Sequence, residues 1–481
     1  MVCAGHNGNS TRYGYAIVLW SFFIQAIAVG LGLSYGVLHI EFMDYFKQPA
    51  ADTSLVGSIN NGVSLISGPA VSALSNRLGL RQTVLLGALI STAGLLASSF
   101  ATSLYWLYIS YGFVAGFGYG MVYMPLIGII TSYFEKHHRD IALCLASTGI
   151  GVGVLVFPPV IERLIEHLSW RGTLLILSGL AFQICVFAAL SPPRQMPSES
   201  SFKDSLDTID TIVQFESFRN YFKQCDCALL KNWRFIVILA AEILWNMALC
   251  IVMSHLPHYA RSYGHAQRMV CWLLSIIGIL GTAGRIIMAV LGAFKKLHKT
   301  TIVFACSLLS AVSLIMISEL KSNFIALSAS VGIFGFTHGT KYALLTCVMA
   351  SMFGADKSVA AVGYLSVSVG IGQATGPPIG GMMYDLTGYY PSAFLLGSAL
   401  AFLSTIIYIP LLVHQKRQRN VDAAIVEMTY SLEMLKRVHI PASPLLSRRW
   451  VSRQDKEEVK HDVPKLGQNG YSKVSQEAEV A

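Results

Sequence analysis

The sequence predicts an all-α membrane protein with twelve transmembrane helices in two six-helix bundles. Three observations predict it. Of its 481 residues, 54% are hydrophobic and 13% charged, with a mean hydropathy of +0.55; a soluble chain carries about 25% charged residues. A window of about 19 residues finds twelve apolar stretches. These stretches fall into two groups of six, with a polar linker between the groups and a polar tail after them.

The spans begin near Tyr15, Ser54, Thr83, Leu104, Ile141 and Thr173, and resume near Trp233, Met269, Thr301, Phe324, Val359 and Pro391. The organisation expected is an N-terminal segment 1–14, a first bundle 15–192, a linker 193–232, a second bundle 233–413 and a partly disordered tail 414–481. The first apolar run is long enough to act as an uncleaved span, with no short signal peptide before it.

Arg77 and Arg81, Lys136 and Arg139, the linker, Lys295 to Lys299 and Lys416 to Arg419 all fall on one side. An even number of spans puts both termini there, which should be the cytosol. The net charge of +9 therefore speaks for orientation or contact with the anionic bilayer surface rather than for nucleic acid. Asn9-Ser10-Thr11 matches a glycosylation sequon but would face the cytosol. The nine cysteines show no metal spacing, and Cys225-x-Cys227 reads as reduced thiols. No cofactor or metal is expected. An enzyme is excluded, because no nucleophile–base set, ligand cluster or nucleotide loop is present.

Three blocks narrow the class. NRLGLRQTVLLG, from Asn76, would make a tight turn at Gly79 with Arg77 and Arg81 at two helix ends, where they can cap carbonyls or latch the halves together. A plain basic turn is the alternative. YFEKHHRDIALCLASTGIGVGVLVFPPV, from Tyr133, places small residues at Ala142, Ala146, Gly149, Gly151 and Gly153 for close helix contact. GPPIGGMMYDLTGYYPSAF, from Gly376, ends one helix, turns at Asp385 to Gly388 and restarts at Tyr390.

Together with SYGVLHIEF, WRGTLL and HLPHYA, these blocks resemble the monocarboxylate transporter family of the major facilitator superfamily, from about Tyr15 to Val413. Asn76 stands where many superfamily members have aspartate. TRYGYAIVLW replaces the family's usual opening signature, and His39 appears where lactate carriers have a lysine. Arg285 matches the family arginine of the eighth helix, but Gly281 occupies the place of its aspartate partner. The resemblance implies the major facilitator fold, with the first, fourth, seventh and tenth helices lining a central cavity. It also implies a carrier for a monocarboxylate, a plasma-membrane location and a single-span immunoglobulin-like glycoprotein partner.

Charges within the spans sharpen the expectation. At 1.5 Å rise per residue, Glu242, Arg285 and Lys341 lie about 13, 15 and 18 Å from the cytosolic ends of their spans. Buried charge within a span marks a functional site. Two cations with one carboxylate would favour an organic anion, with Arg285 gripping its carboxylate and Lys341 adding charge. Other readings stay open. Arg285 could pair with Glu242, and Lys341 could snorkel or meet carbonyls at a break near Gly335 and Gly339.

His338 shares the face of Lys341 as a ligand or a packing residue. His39, with an unperturbed pKa of about 6.5, is the candidate proton sensor or an ordinary interface residue. Tyr35 lies one turn before it, so the two could act together at an outer gate; His255 and His258 read as interface packing. Tyr35, Tyr119, Tyr123, Trp245 and Tyr342 could set substrate shape. The leading function is a secondary carrier of a small organic anion, proton-linked or facilitative. The alternatives are a carrier of a zwitterionic or amine-bearing metabolite, with Glu242 on the cation, and a non-transporting sensor.

Overall fold

The computed structural model describes residues 8–134, 136–190, 230–291, 299–320 and 322–437. Most of the linker, Cys225 and Cys227, the basic loop at 292–298 and the tail beyond residue 437 lie outside the described residues. A backbone in hydrocarbon must satisfy its own hydrogen bonds, and helices do so within one segment.

The first span is α1 (Gly8–Leu33) and α2 (Tyr35–Phe46), which bend at Ser34, whose hydroxyl turns back onto the Gly30 carbonyl at 2.7 Å. The second is α3 (Ala50–Ile66) and α4 (Gly68–Leu78), and the third is α5 (Leu80–Ser99). The fourth runs through α6 (Leu104–Leu107), a π-helical segment (Tyr108–Ala115) and α7 (Gly116–Tyr133).

α8 (Lys136–Leu190) contains the fifth and sixth spans, divided at Ser169, whose φ of 58° and ψ of 173° are not helical. α9 (Trp233–Ser262), α10 (Gln267–Leu291) and α11 (Lys299–Glu319) are single spans. α12 (Phe324–Thr387), at 64 residues, is long enough for two, and α13 (Pro391–Arg437) begins the last. Eight described helical stretches are long and apolar enough to cross a membrane. The double span in α8, the two in α12 and the more polar α3–α4 complete twelve. Residues up to His414 form one compact unit, and those from Gln415 belong to a second.

Side chains such as Leu19, Ile109, Leu175, Ile236, Trp272 and Leu403 are exposed, as a surface facing lipid tails requires. With no hydrophobic drive between helices in lipid, packing depends on close approach at small residues. The stripe on α8 does this. A Cβ at Gly149 or Gly153 would strike the Phe22 or Ala26 carbonyl oxygen of α1. α10 and α12 meet the same way, because a Cβ at Gly339 would run into the main-chain oxygen of Gly281.

Gly339→Ala should therefore force α10 and α12 apart at a cost of about 1–3 kcal/mol. The check is the thermal midpoint of the purified protein, and a midpoint equal to wild type would refute this account of the contact.

Candidate functional site

A cavity lies among the helices, lined by apolar side chains with a few polar groups, as small-molecule sites are. α1 lines it with Ala28, Val29 and Leu33, α3 with Asn60, Asn61 and Ser64, and α7 with Tyr119 and Tyr123. α9 adds Asn246 and Leu249, α10 adds Arg285, and α12 adds His338, Tyr342 and Gln373.

Arg285 is held in place by what surrounds it. Gly151 of α8 leaves it room, since a Cβ there would lie 3.0 Å from Arg285 Nη1. The guanidinium carbon sits 5.6 Å from the Tyr342 ring centroid, and the Tyr342 and Tyr123 hydroxyls hydrogen-bond at 2.5 Å. Arg285 is 2% exposed. No carboxylate pairs with it among the described residues, and its Nε has no hydrogen-bond partner there. A cation–π contact is worth about 0.5–2 kcal/mol, far less than a buried guanidinium needs.

Lys341 is placed differently from the expectation. Its Nζ lies 2.9 Å from Glu242 Oε1, and the Tyr408 hydroxyl donates to the same oxygen at 2.7 Å. The ammonium also sits 4.1 Å from the Trp245 ring centroid. Glu242 and Lys341 are both almost fully buried, and neither lines the cavity. Lys341 is thus neutralised inside the protein, and Glu242 pairs with it rather than with Arg285. His338, three residues earlier, does line the cavity, stacked on Trp245 at 5.4 Å. Trp245 therefore stands behind the wall, between the ion pair and the site.

Tyr35 and His39 also lie away from the cavity, at the end of the molecule opposite the start of α1. The Tyr35 hydroxyl donates to the Thr53 carbonyl at 2.6 Å, and His39 Nε2 lies 3.3 Å from the Ala50 oxygen. The His39 ring meets His255 edge-on at 5.1 Å, and His255 Nε2 bonds the Pro377 carbonyl at 2.8 Å. His258 packs on Tyr390 at 5.0 Å.

The strongest contact here involves a residue that the sequence marked only as part of a turn. Asp385, at the end of α12, accepts from the Ala50 and Ala51 N–H groups at 3.0 and 2.9 Å. α3 starts at Pro49 and has no side-chain cap of its own, so a carboxylate over 300 residues away supplies it and meets the positive end of the helix. Arg261 pairs with Asp44 at 2.8 Å alongside. Both contacts join the first six spans to the last six and close this end.

The loop at Asn76 differs from this seal. Gly79 makes the turn, at φ 90°. Arg77 is exposed. Arg81 donates to the Ala189 carbonyl at 2.6 Å, capping the end of α8 within the first six spans rather than reaching across. The side chain of Asn76 lies outside the described residues.

Sequence reasoning also passed over the cavity amides. Asn60-Asn61 inside an apolar span was a readable signal, because paired amides in lipid are costly unless they face a polar space. For Asp385, Asp44 and Arg261 no local signal distinguishes partners from ordinary turn charges.

A bundle of membrane spans around a cavity whose cation is unpaired among the described residues has the architecture of a membrane carrier. The profile of the Major Facilitator Superfamily matches residues 14–319 and 292–452, and the chain belongs to that superfamily. It is 28% identical over 401 residues to monocarboxylate transporter 13 of Bos taurus, covering 83% of this chain and 89% of the relative. It is 28% identical to monocarboxylate transporter 12 of Mus musculus, covering 88% and 90%. Monocarboxylate transporter 9 of Mus musculus matches at 27%, covering 82% and 92%. The chain is thus a divergent relative of these transporters, as its motifs implied.

Two outcomes follow from the geometry. Glu242→Gln or Lys341→Met alone should destabilise the protein by about 3–5 kcal/mol, because each leaves one buried charge uncompensated, while the double variant should lie nearer wild type. Thermal midpoints of the three proteins check this, and equal values would refute the pairing. Asp385→Asn weakens the α3 cap by about 1 kcal/mol, or about fivefold in the open form. An impermeant maleimide applied at that end should then label Leu33→Cys faster; an unchanged rate would rule out Asp385 as part of the seal.

Proposed function

We propose that this chain is a facilitative carrier for a small organic monoanion, a monocarboxylate whose carboxylate is held by Arg285. The observation that carries the reading is the buried guanidinium on the cavity wall, with no acidic partner among the described residues. A planar fork of donors matches a carboxylate with two parallel hydrogen bonds. One free cation among the described lining residues suits one negative charge, because Lys341 is spoken for by Glu242. Rocking of the two sets of six spans about this site would expose it to each side in turn, with the Asp385 and Arg261 contacts breaking when the sealed end opens.

Facilitation is favoured over proton symport by the absence of any carboxylate among the described lining residues. Gly281 stands where the related lactate carriers have aspartate, and His39 sits in the seal rather than the cavity. An amine-bearing substrate would need Glu242 on the wall, and Glu242 is engaged by Lys341 and Tyr408. Basic residues such as Arg77, Arg81 and Lys416 to Arg419 support cytosolic termini. The plasma membrane and an immunoglobulin-like glycoprotein partner are carried by the family resemblance.

The test is uptake of labelled monocarboxylates into proteoliposomes, with and without a pH gradient. Saturable uptake indifferent to the gradient is expected, and Arg285→Gln should lower kcat/KM about thirtyfold, the equivalent of about 2 kcal/mol for charge-assisted hydrogen bonds. Several-fold stimulation by an inward proton gradient would replace facilitation with symport. Uptake that persists in Arg285→Gln would remove the anion anchor. Binding without flux would move the chain to the sensor reading.

A further inference from the structure

The cavity wall is more polar than a carboxylate anchor requires. Four amides line it, Asn60 and Asn61 from α3, Asn246 from α9 and Gln373 from α12. Each amide has a donating nitrogen end and an accepting oxygen end, and in two of them the nitrogen is already committed. Asn60 Nδ2 donates to the Tyr111 carbonyl at 2.7 Å, and Asn246 Nδ2 to the Glu242 carbonyl at 2.8 Å. These bonds fix both rotamers and leave the oxygens as acceptors. Gln373 Nε2 lies 3.5 Å from Asn246 Oδ1, a distance too long for a strong bond, and its own oxygen accepts nothing among the described residues. Asn61 makes no side-chain hydrogen bond among the described residues. The Tyr119 hydroxyl, also on the wall, is buried without a partner among the described residues.

The wall therefore offers fixed neutral acceptors, with Asn61 and Tyr119 adaptable. A buried acceptor left unmet costs about 1–3 kcal/mol, so an apolar occupant would sit badly here. An ammonium would satisfy the acceptors but would bring a second cation beside Arg285, and no carboxylate lines the cavity among the described residues. The matching group is a neutral donor. The amides line the same cavity as Arg285, so one occupant can meet both.

We propose that the amides at Asn60, Asn61, Asn246 and Gln373 select monoanions that carry a hydroxyl or amide N–H beyond the carboxylate, over apolar monocarboxylates of the same size. The proposal rests on Arg285 as the carboxylate anchor. Arg285 supplies the charge recognition common to every monoanion, and the amide wall supplies discrimination among them. A site built to hydrogen-bond a substrate group rejects the analogue lacking it far more strongly than an apolar pocket rejects a missing methylene.

The test compares N-acetylglycine with 4-oxopentanoate, which has the same number of heavy atoms and a methylene in place of the amide N–H. Both are measured with the full chain in proteoliposomes, in wild type, Asn61→Leu, Gln373→Leu and Arg285→Gln. The expected result is a preference of about tenfold in kcat/KM for N-acetylglycine, narrowing in Asn61→Leu and in Gln373→Leu. The preference is a ratio within each variant, so a smaller folded fraction lowers both fluxes alike and cancels. A wild-type ratio near one, or a ratio undiminished in both leucine variants, overturns the proposal. If flux of both compounds then still depends on Arg285, the monoanion reading stands and only the amide selection falls. If no monocarboxylate moves in an Arg285-dependent way, the anchor fails and the selection fails with it.

Discussion

Burying the ammonium of Lys341 against Glu242 sets the electrostatics of everything around it. Isolated, each charge would be costly in a low-dielectric interior; at 2.9 Å, with the Tyr408 hydroxyl on the same carboxylate, the pair is compensated within the chain. Among the described residues, the cavity next to it therefore holds one free cation instead of two. The same pair also shapes the wall. Glu242 holds Asn246 through its carbonyl and carboxylate, and Lys341 rests on Trp245, against which His338 stacks. A structural ion pair and a binding surface are thus two sides of one layer of side chains.

Small residues give that layer its geometry. Arg285 reaches the cavity because Gly151 leaves space beside it, and α10 lies close to α12 because Gly281 and Gly339 meet backbone to backbone. The glycine at 281 thus has two consequences. It allows a close helix contact, and it offers Arg285 no carboxylate. Packing and chemistry are coupled at one position.

Charge also closes the far end, by another route. Asp385 caps α3 from across the two sets of spans, so a local need of one helix terminus becomes a long-range fastening. The histidines beneath it are packed among rings and carbonyls. Such contacts are individually modest, which suits contacts that the proposed rocking of the two sets of spans would have to break. The ion pair beside the cavity, by contrast, stays within the last six spans and need not break.

The sequence by itself determined the class and the apolar helical stretches, because apolar length is a property of a single segment. Motifs carried the superfamily, and the small-residue stripe on α8 announced a close contact before its partner was visible. Rotation about the helix axes, and which distant helix stands opposite, belonged to the tertiary structure. Equal depth could not say that Glu242 would meet Lys341 instead of Arg285, nor that Lys341 would turn away from the cavity. Nor could a turn aspartate reveal that its oxygens reach the first amides of α3. Those outcomes depend on side chains brought together by packing across hundreds of residues, and no local pattern encodes them.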